Sequence, residues 1–127
     1  TGIVIMSESQ SPYHPLQTVA DLDAAIASSH EQPVLLFKHS MSCGVSAEAD
    51  EQVRQFLEAT GAGVLCGLVV VQRARPVSSA IVERLGVRHE SPQALLLRDG
   101  RVIWHASHWK VTESALHDAV RAATAPV

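Results

Sequence analysis

The 127-residue sequence predicts a single α/β domain built on a mixed four-stranded sheet: two parallel strands and a C-terminal hairpin, flanked by helices on both faces. Two short apolar segments are separated by amphipathic helical patterns, which is typical of parallel strands buried on both faces. Two further apolar segments flank Asp99-Gly100, a strong signal for a tight hairpin turn. The length suits one domain with a real core and is short for two.

The first half of the chain predicts a helix, a strand and a second helix. Residues 1–17 lack periodicity and are expected to be an irregular lead-in, so the domain is expected to span 18–127. Thr18 and Asp21 form a capping box that begins the first helix. A continuously apolar strand follows over 34–39. The helix after that strand is predicted from apolar residues that keep to one helical face: Val45, Ala49, Val53, Phe56 and Leu57.

The second half adds a strand, a helix, the hairpin and a last helix. A buried strand is predicted over 64–71, and Pro76 and Gly86 mark the first residue and the end of the next helix. The remaining elements are hairpin strands over 93–97 and 101–106 and a helix capped by Thr112. This order describes the thioredoxin-like arrangement, in which the loop after the first core strand faces the turn that enters the hairpin.

Cys43 is the candidate reactive residue. It stands where a helix is predicted to begin, and free N–H groups and the positive end of the helix dipole favour a thiolate there. Only the thiolate is nucleophilic, and such a position lowers a cysteine pKa from about 8.5 towards roughly 3.5–7.5. Ser46 occupies the place of the second cysteine in a Cys-x-x-Cys pair, so a monothiol mechanism is predicted. Cys66 lies in a buried strand and is expected to be an inert core thiol.

Three polar residues near Cys43 are candidate modulators of its thiolate. A cation near the sulfur would lower the cysteine pKa, which makes Lys38 and His39 candidates. Side chains alternate along a strand, so at most one of these two is expected to point towards the sulfur. The Ser46 hydroxyl either helps to solvate the thiolate or is a surface group on the first helical turn.

Composition and charge exclude several classes of function. A net charge of −3 without a basic run argues against nucleic-acid binding. The chain shows no secretory leader pattern and no run of membrane-spanning length, so we expect a cytoplasmic protein without a membrane partner. The histidine spacing is not that of a metal site, and no metal is expected. Glu90 is expected to be a surface charge, and Trp109 a packing lid on the edge of the hairpin.

Three separated segments resemble the monothiol bacilliredoxins of the YtxJ-like branch. They are Phe-Lys-His-Ser at 37–40, Val-x-His-Glu-Ser-Pro-Gln at 87–93 and Trp-His-Ala-Ser-His-Trp-Lys at 104–110. The resemblance implies a thioredoxin-like fold and removal of the low-molecular-weight thiol bacillithiol from mixed disulfides on S-thiolated client proteins. Bacillithiol would be a co-substrate, with no resident cofactor. The residues expected to act are Cys43 as nucleophile, with Ser42, Gly44, Ser91 and the cis-proline Pro92 as substrate-binding residues.

Gly44 departs from the family pattern, which is Thr-Cys-Pro-Ile-Ser around the cysteine. Glycine lacks the preset φ of proline but supplies an N–H, so the effect on the Cys43 pKa has no predicted sign. The tetrad Cys-Gly-Val-Ser is also similar to the Cys-Gly-Phe-Ser of monothiol glutaredoxins, which bind glutathione and an iron–sulfur cluster. Two alternatives therefore stay open: an iron–sulfur cluster carrier, and a non-catalytic thioredoxin-like adaptor that holds a peptide in the same groove.

Overall fold

The computed structural model of the chain describes residues 11–41, 44–60 and 63–124. The elements in chain order are β1 (His14–Pro15), α1 (Val19–Ser28), β2 (Val34–His39), α2 (Gly44–Thr60), β3 (Leu65–Val70), α3 (Arg75–Leu85), β4 (Gln93–Arg98), β5 (Arg101–Ser107), a 3₁₀ helix (His108–Lys110) and α4 (Glu113–Thr124). Within these ranges, no helix is both long and apolar enough to cross a bilayer.

The strands form one mixed sheet in the order β1-β3-β2-β4-β5. β3 runs parallel to both β1 and β2, whereas β4 is antiparallel to β2 and to β5. Helices α2 and α4 cover one face of the sheet, and α1 and α3 cover the other. The predicted fold class is confirmed: the sheet is mixed, the predicted parallel pair β2 and β3 is followed by a C-terminal hairpin, and helices flank both faces.

The sheet has a fifth strand that the sequence did not predict, because β1 lies within the segment expected to be an irregular lead-in. His14 pairs with Gly67, and the Leu16 N–H donates to the Leu68 carbonyl at 2.8 Å. A two-residue strand is too short to show alternation, and its proline is tolerated because β1 lies at the sheet edge. A Cβ at Gly67 would lie 2.7 Å from Leu16 Cδ1, so the glycine provides the space into which the Leu16 side chain packs.

Two hydrophobic cores lie on opposite faces of the sheet. Along β2, Leu35 and Phe37 face α2 and α4, whereas Val34 and Leu36 face α1 and α3. All four side chains are fully buried. A strand covered on both faces has no solvated side, which explains why β2 reads as a continuous apolar run.

The helix boundaries follow the capping signals closely. The Thr18 hydroxyl accepts from the Asp21 N–H at 3.1 Å, and the Asp21 carboxylate accepts from the Thr18 N–H at 3.2 Å. Both halves of the predicted capping box are therefore present. Gly86 caps α3 with a left-handed φ of 73°, while Pro76 is the second residue of that helix instead of the first.

The hairpin turn is anchored to the end of α1. Asp99 and Gly100 have φ values of 55° and 79°, so both residues occupy the left-handed region that a tight hairpin of this kind requires. The Asp99 N–H and the Arg98 guanidinium donate to the carbonyl of buried Ser29, at 2.8 and 2.9 Å. The Gly100 N–H donates to the Ser29 hydroxyl at 2.8 Å. One serine thus fixes the turn to the helix.

Candidate functional site

The candidate site lies at the sheet edge where the parallel strands β2 and β3 have their carboxyl ends. Lys38, near the end of β2, pairs with Gln93 at the start of β4, and Gln93 in turn pairs with Ser107 at the end of β5. The loops at this edge are therefore the segment between β2 and α2, the segment after β3, the turn before β4 and the 3₁₀ helix. Four segments distant in sequence meet there.

Ser42 and Cys43 lie outside the described residues, so their predicted roles stay predictions. Cys43 directly precedes Gly44, which is the first residue of the 17-residue helix α2. Gly44 is exposed, and a Cβ at this position would meet no atom within 4 Å. The predicted helix start directly after the cysteine is observed, and the role of Gly44 in binding remains a prediction.

Ser46 is part of the framework of the loop before α2. It is fully buried, and its hydroxyl oxygen accepts from the Ser40 N–H at 3.1 Å. The alternative of a surface hydroxyl on the first helical turn is therefore wrong, because the hydroxyl ties α2 to the segment that precedes the cysteine. Whether it also stabilises the Cys43 thiolate stays a prediction.

Gln72 is a site residue that sequence reasoning missed. Its side-chain amide donates to the Ser40 hydroxyl at 2.8 Å, and its carbonyl accepts from the Met41 N–H at 3.2 Å. Gln72 follows β3 and so reaches across the sheet edge to the segment just before Cys43. The one sequence signal for this role is its position after the second buried strand.

The turn before β4 contains Ser91 and Pro92, whose peptide bond is cis, the geometry that the resemblance implied. Pro92 is buried, and its carbonyl accepts from the His108 N–H at 2.9 Å. The Ser91 hydroxyl is buried and has no hydrogen-bond partner among the described residues. The turn is thus tied to the 3₁₀ helix, and the part of Ser91 and Pro92 in substrate binding stays a prediction.

Lys38 is a fully buried lysine beneath the turn before β4. Its Nζ donates to Gln93 Oε1 at 3.0 Å, and the Gln93 amide donates to the Arg88 carbonyl at 3.1 Å. Burial lowers the pKa of Lys38 to about 8, against the opposing effect of the Glu90 carboxylate. Lys38 therefore supports the segment that leads to Pro92.

His39 points to the opposite face of the sheet from Lys38, as strand alternation predicts. It is half-buried, and its ring packs edge-on against Phe37 with a centroid separation of 5.8 Å. Cys43 lies outside the described residues, so the expectation that at most one of the two points towards its sulfur stays a prediction. Their effect on the Cys43 thiolate is not tested by these contacts.

His89 and Glu90 continue the polar cluster above Lys38. The His89 Nδ1 lies 3.3 Å from the Ser78 hydroxyl, and burial together with the Lys38 charge lowers the His89 pKa. A hydrogen bond from the Ser107 hydroxyl, with nearby cationic groups, lowers the pKa of Glu90. Glu90 is half-buried and has partners, so it is more than the simple surface charge that was expected.

Cys66 and Trp109 give opposite outcomes for two packing predictions. Cys66 is 1% exposed in the core beneath α2, and burial raises the pKa of its thiol. The prediction of a buried thiol is confirmed. Trp109 is 69% exposed, so the expected packing lid is wrong. It lies in a 3₁₀ helix that begins at His108 with a left-handed φ of 57°, a turn that strand patterning does not encode.

Potential metal ligands do not cluster in the part of the chain that the structure describes. No three histidine, cysteine, aspartate or glutamate side chains lie together there in a way that would hold an ion.

The family model described as monothiol bacilliredoxin BrxC matches residues 14–116, which is most of the chain. The chain belongs to the monothiol bacilliredoxin family. The match includes the parallel strands β1, β2 and β3, the hairpin and the start of α4, so the family assignment covers the whole sheet. Membership in this family, together with the fold, indicates a redox function for this bacilliredoxin.

Solved structures show the same fold. One that is described as having a thioredoxin fold is 29% identical, has a TM-score of 0.78, and the match covers 87% of this chain and 95% of that one. Thioredoxin from Fasciola hepatica is 17% identical with a TM-score of 0.70, over 86% and 97% of the two chains. A thioredoxin variant from Halobacterium salinarum is 23% identical with a TM-score of 0.71, over 91% and 93%. The predicted thioredoxin-like fold is confirmed.

Proposed function

We propose that this bacilliredoxin is a monothiol thiol–disulfide oxidoreductase that removes a low-molecular-weight thiol from mixed disulfides on client proteins. Cys43 is the proposed nucleophile. The observation that carries the proposal is the family match over 14–116, in a chain whose Cys43 directly precedes helix α2 at the sheet edge where the Pro92 turn also lies. Cys66 is excluded as the nucleophile because it is 1% exposed.

The proposed reaction has two thiol–disulfide exchanges. The Cys43 thiolate attacks the sulfur of the small thiol, and a new disulfide joins Cys43 to that thiol. The disulfide between client and small thiol breaks, and its electron pair leaves on the client sulfur, which takes a proton. A second thiol, from another molecule of the small thiol or from a reductase, then attacks the adduct and restores Cys43. Family membership favours bacillithiol as the small thiol.

The surroundings of the helix start favour an ionised sulfur at Cys43. Helix α2 has 17 residues, so its amino end carries the full positive end of the helix dipole. Lys38 adds a cationic group beneath the neighbouring turn. Both effects act in the direction of a lower Cys43 pKa.

The Ser91–Pro92 turn is the proposed docking point for a client. Pro92 has no N–H and is tied through its carbonyl to His108, so the main-chain groups of Ser91 are those left to pair with an extended segment of the client. The Gly44 N–H, at the first turn of α2, is proposed to face the disulfide that is being exchanged.

The test is the pH dependence of Cys43 alkylation in a Cys66→Ala background. We expect the rate of reaction with iodoacetamide to follow a thiolate whose pKa lies below the ordinary value of about 8.5. Cys43→Ser in the same background should show no labelling and should release no small thiol from a bacillithiolated reporter protein. A Cys43 pKa at or above 8.5 would contradict the proposal.

A non-catalytic adaptor would behave differently in the same experiments. An adaptor holds its partner through the groove and not through the sulfur, so Cys43→Ser would keep its function. Mass spectrometry after acid trapping in the native cell separates the two, because the oxidoreductase carries the small thiol on Cys43 and the added mass identifies that thiol.

A further inference from the structure

Trp109 is, at 69% exposure, the most exposed of the large apolar side chains that the structure describes. It belongs to neither hydrophobic core, and the proposed exchange reaction does not use it. A single exposed apolar residue needs no functional explanation by itself. Tryptophan is, however, among the residue types most enriched at the energetic centres of protein interfaces, so the surroundings of Trp109 decide its role.

Trp109 lines a cavity of about 150 Å³ between α2 and the 3₁₀ helix. The apolar lining continues with Val45, Ala49 and Val111, and of these Ala49 and Val111 are buried. An apolar cavity of about 150 Å³ holds a benzene-sized group, whereas whole small-molecule sites occupy about 300–1,000 Å³. The cavity therefore has room for one apolar side chain of a partner.

The walls of this cavity are fixed by hydrogen bonds of their own. The Gln52 side-chain carbonyl, in the wall formed by α2, accepts from the Glu113 N–H at 2.7 Å. The Val111 N–H donates to the His108 carbonyl at 3.2 Å, which closes the turn that carries Trp109. A rigid aromatic side chain loses little conformational entropy when it binds, so this wall is suited to anchor a partner.

The cavity adjoins both segments of the proposed site. Val45 lies in the first turn of α2, two positions after Cys43 in the chain. On the other side, the His108 N–H donates to the Pro92 carbonyl at 2.9 Å, so the 3₁₀ helix is tied to the proposed docking point. A client segment docked at that turn therefore lies next to this cavity.

The exposed side of α2 beside the cavity is acidic. Its exposed glutamates are Glu48, Glu51 and Glu58. Glu48 lines the cavity, whereas Arg54, the one cation within α2, pairs with Asp50 at 3.0 Å. Lys110 lines a separate cavity together with Glu90. The charge beside the apolar walls is therefore negative, and it complements a cationic group on a partner.

These features select one occupant. A second copy of the chain, related by a twofold axis through this surface, would place one acidic face of α2 against the other. A charged small thiol would leave its polar groups without partners against the apolar walls. A client segment with an apolar side chain next to a lysine or arginine matches both the walls and the Glu48 carboxylate.

We propose that this cavity selects client proteins: it holds one apolar side chain within three residues of the client cysteine, and Glu48 pairs with a neighbouring lysine or arginine. This assignment rests on the proposed function and adds to it the chemical class of client. Main-chain pairing at the Ser91–Pro92 turn is independent of the client sequence, so the sequence preference comes from the cavity. Trp109 is a specificity-determining residue and takes no part in the exchange itself.

The experiment measures the release of bacillithiol from peptides that carry one bacillithiolated cysteine. All peptides share a lysine and an otherwise neutral background, and one phenylalanine replaces alanine at each of the three positions on either side of the cysteine. We expect the best phenylalanine peptide to exceed the alanine peptide in kcat/KM on the order of tenfold, mainly through KM. In Trp109→Ala this ratio should fall to about one.

Ile103→Ala is the matched control for the loss of an exposed apolar side chain. Ile103 is 47% exposed on β5 and does not line the cavity. This variant should keep the wild-type ratio between the phenylalanine and alanine peptides. Equal losses of the ratio in Ile103→Ala and Trp109→Ala would contradict a specific cavity.

A second set of peptides tests the charge preference. The phenylalanine stays at its best position, and the lysine beside it is replaced by glutamate. We expect wild type to prefer the lysine peptide about threefold at low salt, and Glu48→Lys to reverse that preference. Glu58→Lys makes the same change of net charge at the far end of α2 and should keep the wild-type preference.

The outcomes separate the cavity assignment from the proposed function. If Trp109→Ala lowers kcat/KM on all peptides by one factor, or on none, the cavity assignment is overturned while the oxidoreductase remains. A wild-type dimer in sedimentation velocity that Trp109→Ala dissociates would assign the surface to a second copy and also overturn it. If wild type releases bacillithiol from no peptide, the proposed function fails and the assignment fails with it. A selective loss on the phenylalanine peptides supports both.

Discussion

Lys38 is the most unusual residue of the candidate site, because a lysine is rarely fully buried without a charged partner. Its Nζ finds the neutral Gln93 side chain at 3.0 Å, and burial lowers its pKa to about 8. Near neutral pH the buried group therefore carries a proton at some cost in folding free energy. In return, the folded protein holds a cationic group beneath the turn that contains Pro92.

The pH dependence of stability should reveal this buried lysine. Between about pH 8 and 10.5 the unfolded chain still holds the Lys38 proton that the folded chain has released. Since the unfolded state then binds more protons, stability rises with pH, by at most about 1.4 kcal/mol per pH unit. We expect wild type to gain stability relative to Lys38→Met in urea unfolding from pH 8 to 9.5.

The comparison is made as a difference because Cys66 acts in the opposite direction. Its buried thiol stays protonated while the unfolded thiol ionises, so this residue lowers stability as the pH rises through 9. The contribution is common to both proteins and cancels. Lys110→Met, a substitution of an exposed lysine, should leave the slope as in wild type; a Lys38→Met slope equal to it would refute the burial argument.

At the scale of single elements, the two glycines at the ends of helices differ in backbone conformation. Gly44 begins α2 without a left-handed φ, whereas Gly86 caps α3 at a φ of 73°. An added Cβ meets no atom within 4 Å at either position, so the local conformation decides the effect of a substitution.

We expect Gly44→Ala to stabilise the fold by about 0.5 kcal/mol, because alanine restricts the unfolded chain without straining the helix. Gly86→Ala should destabilise it by about 1–2 kcal/mol, since a side chain in the left-handed region is strained. Chemical denaturation of the two variants checks both signs. A loss of stability in Gly44→Ala would show that this helix start needs glycine.

The edge strand β1 depends on one close contact. A Cβ at Gly67 would approach Leu16 Cδ1 to 2.7 Å, so Gly67→Ala should cost about 1–3 kcal/mol through overpacking. In the double variant with Leu16→Ala the overpacking is relieved, and the two effects should couple by more than about 0.5 kcal/mol.

Urea unfolding of both single variants and the double variant measures that coupling. Gly63→Ala, where a Cβ meets no atom within 4 Å, is the control for adding a methyl group nearby in the chain. Strict additivity between the Gly67 and Leu16 variants would mean that the two side chains do not compete for space.

Local signals explain which elements the sequence predicts well. The Thr18 capping box, the Gly86 cap and the Asp99-Gly100 turn each depend on residues a few positions apart, and all three appear as predicted. Strand β1 and the 3₁₀ helix after β5 carry no such signal. Both exist because of contacts with distant residues, such as Gly67 for β1 and Pro92 for His108.

At the scale of the whole molecule, the topology assembles the site. Parallel β2 and β3 and antiparallel β4 bring the Cys43, Gln72 and Pro92 segments to one edge of the sheet. The sequence predicts that the Cys43 and Pro92 segments lie close together, because the order of strands and helices brings the two loops to the same end of the sheet. It does not predict Gln72, or the burial of Lys38 against Gln93, because those contacts arise only when the sheet register is fixed.

The distribution of cysteines over the whole chain bears on the iron–sulfur alternative. Protein-bound clusters are held mainly by cysteine thiolates, and Cys66 is 1% exposed in the core. Cys43 and an added small thiol are then the thiolates left to hold a cluster, and the family match favours the oxidoreductase instead. We therefore expect anaerobic reconstitution with iron, sulfide and either glutathione or bacillithiol to give no visible cluster absorbance. Cys43→Ser serves as the control. Absorbance present in wild type and lost in that variant would favour the cluster carrier.

The hydrogen bonds from Ser29 to the hairpin turn, at the far end of the sheet, have a practical consequence for handling the protein. Ser29 holds the hairpin turn to the end of α1, at the end of the sheet opposite the proposed site, and the neighbouring His30 and Arg101 are exposed. A dye or a surface tether attached at either exposed position would sit on a rigid base. The end of the sheet with the proposed site would then face the solution, an orientation suited to a sensor of the proposed thiol exchange.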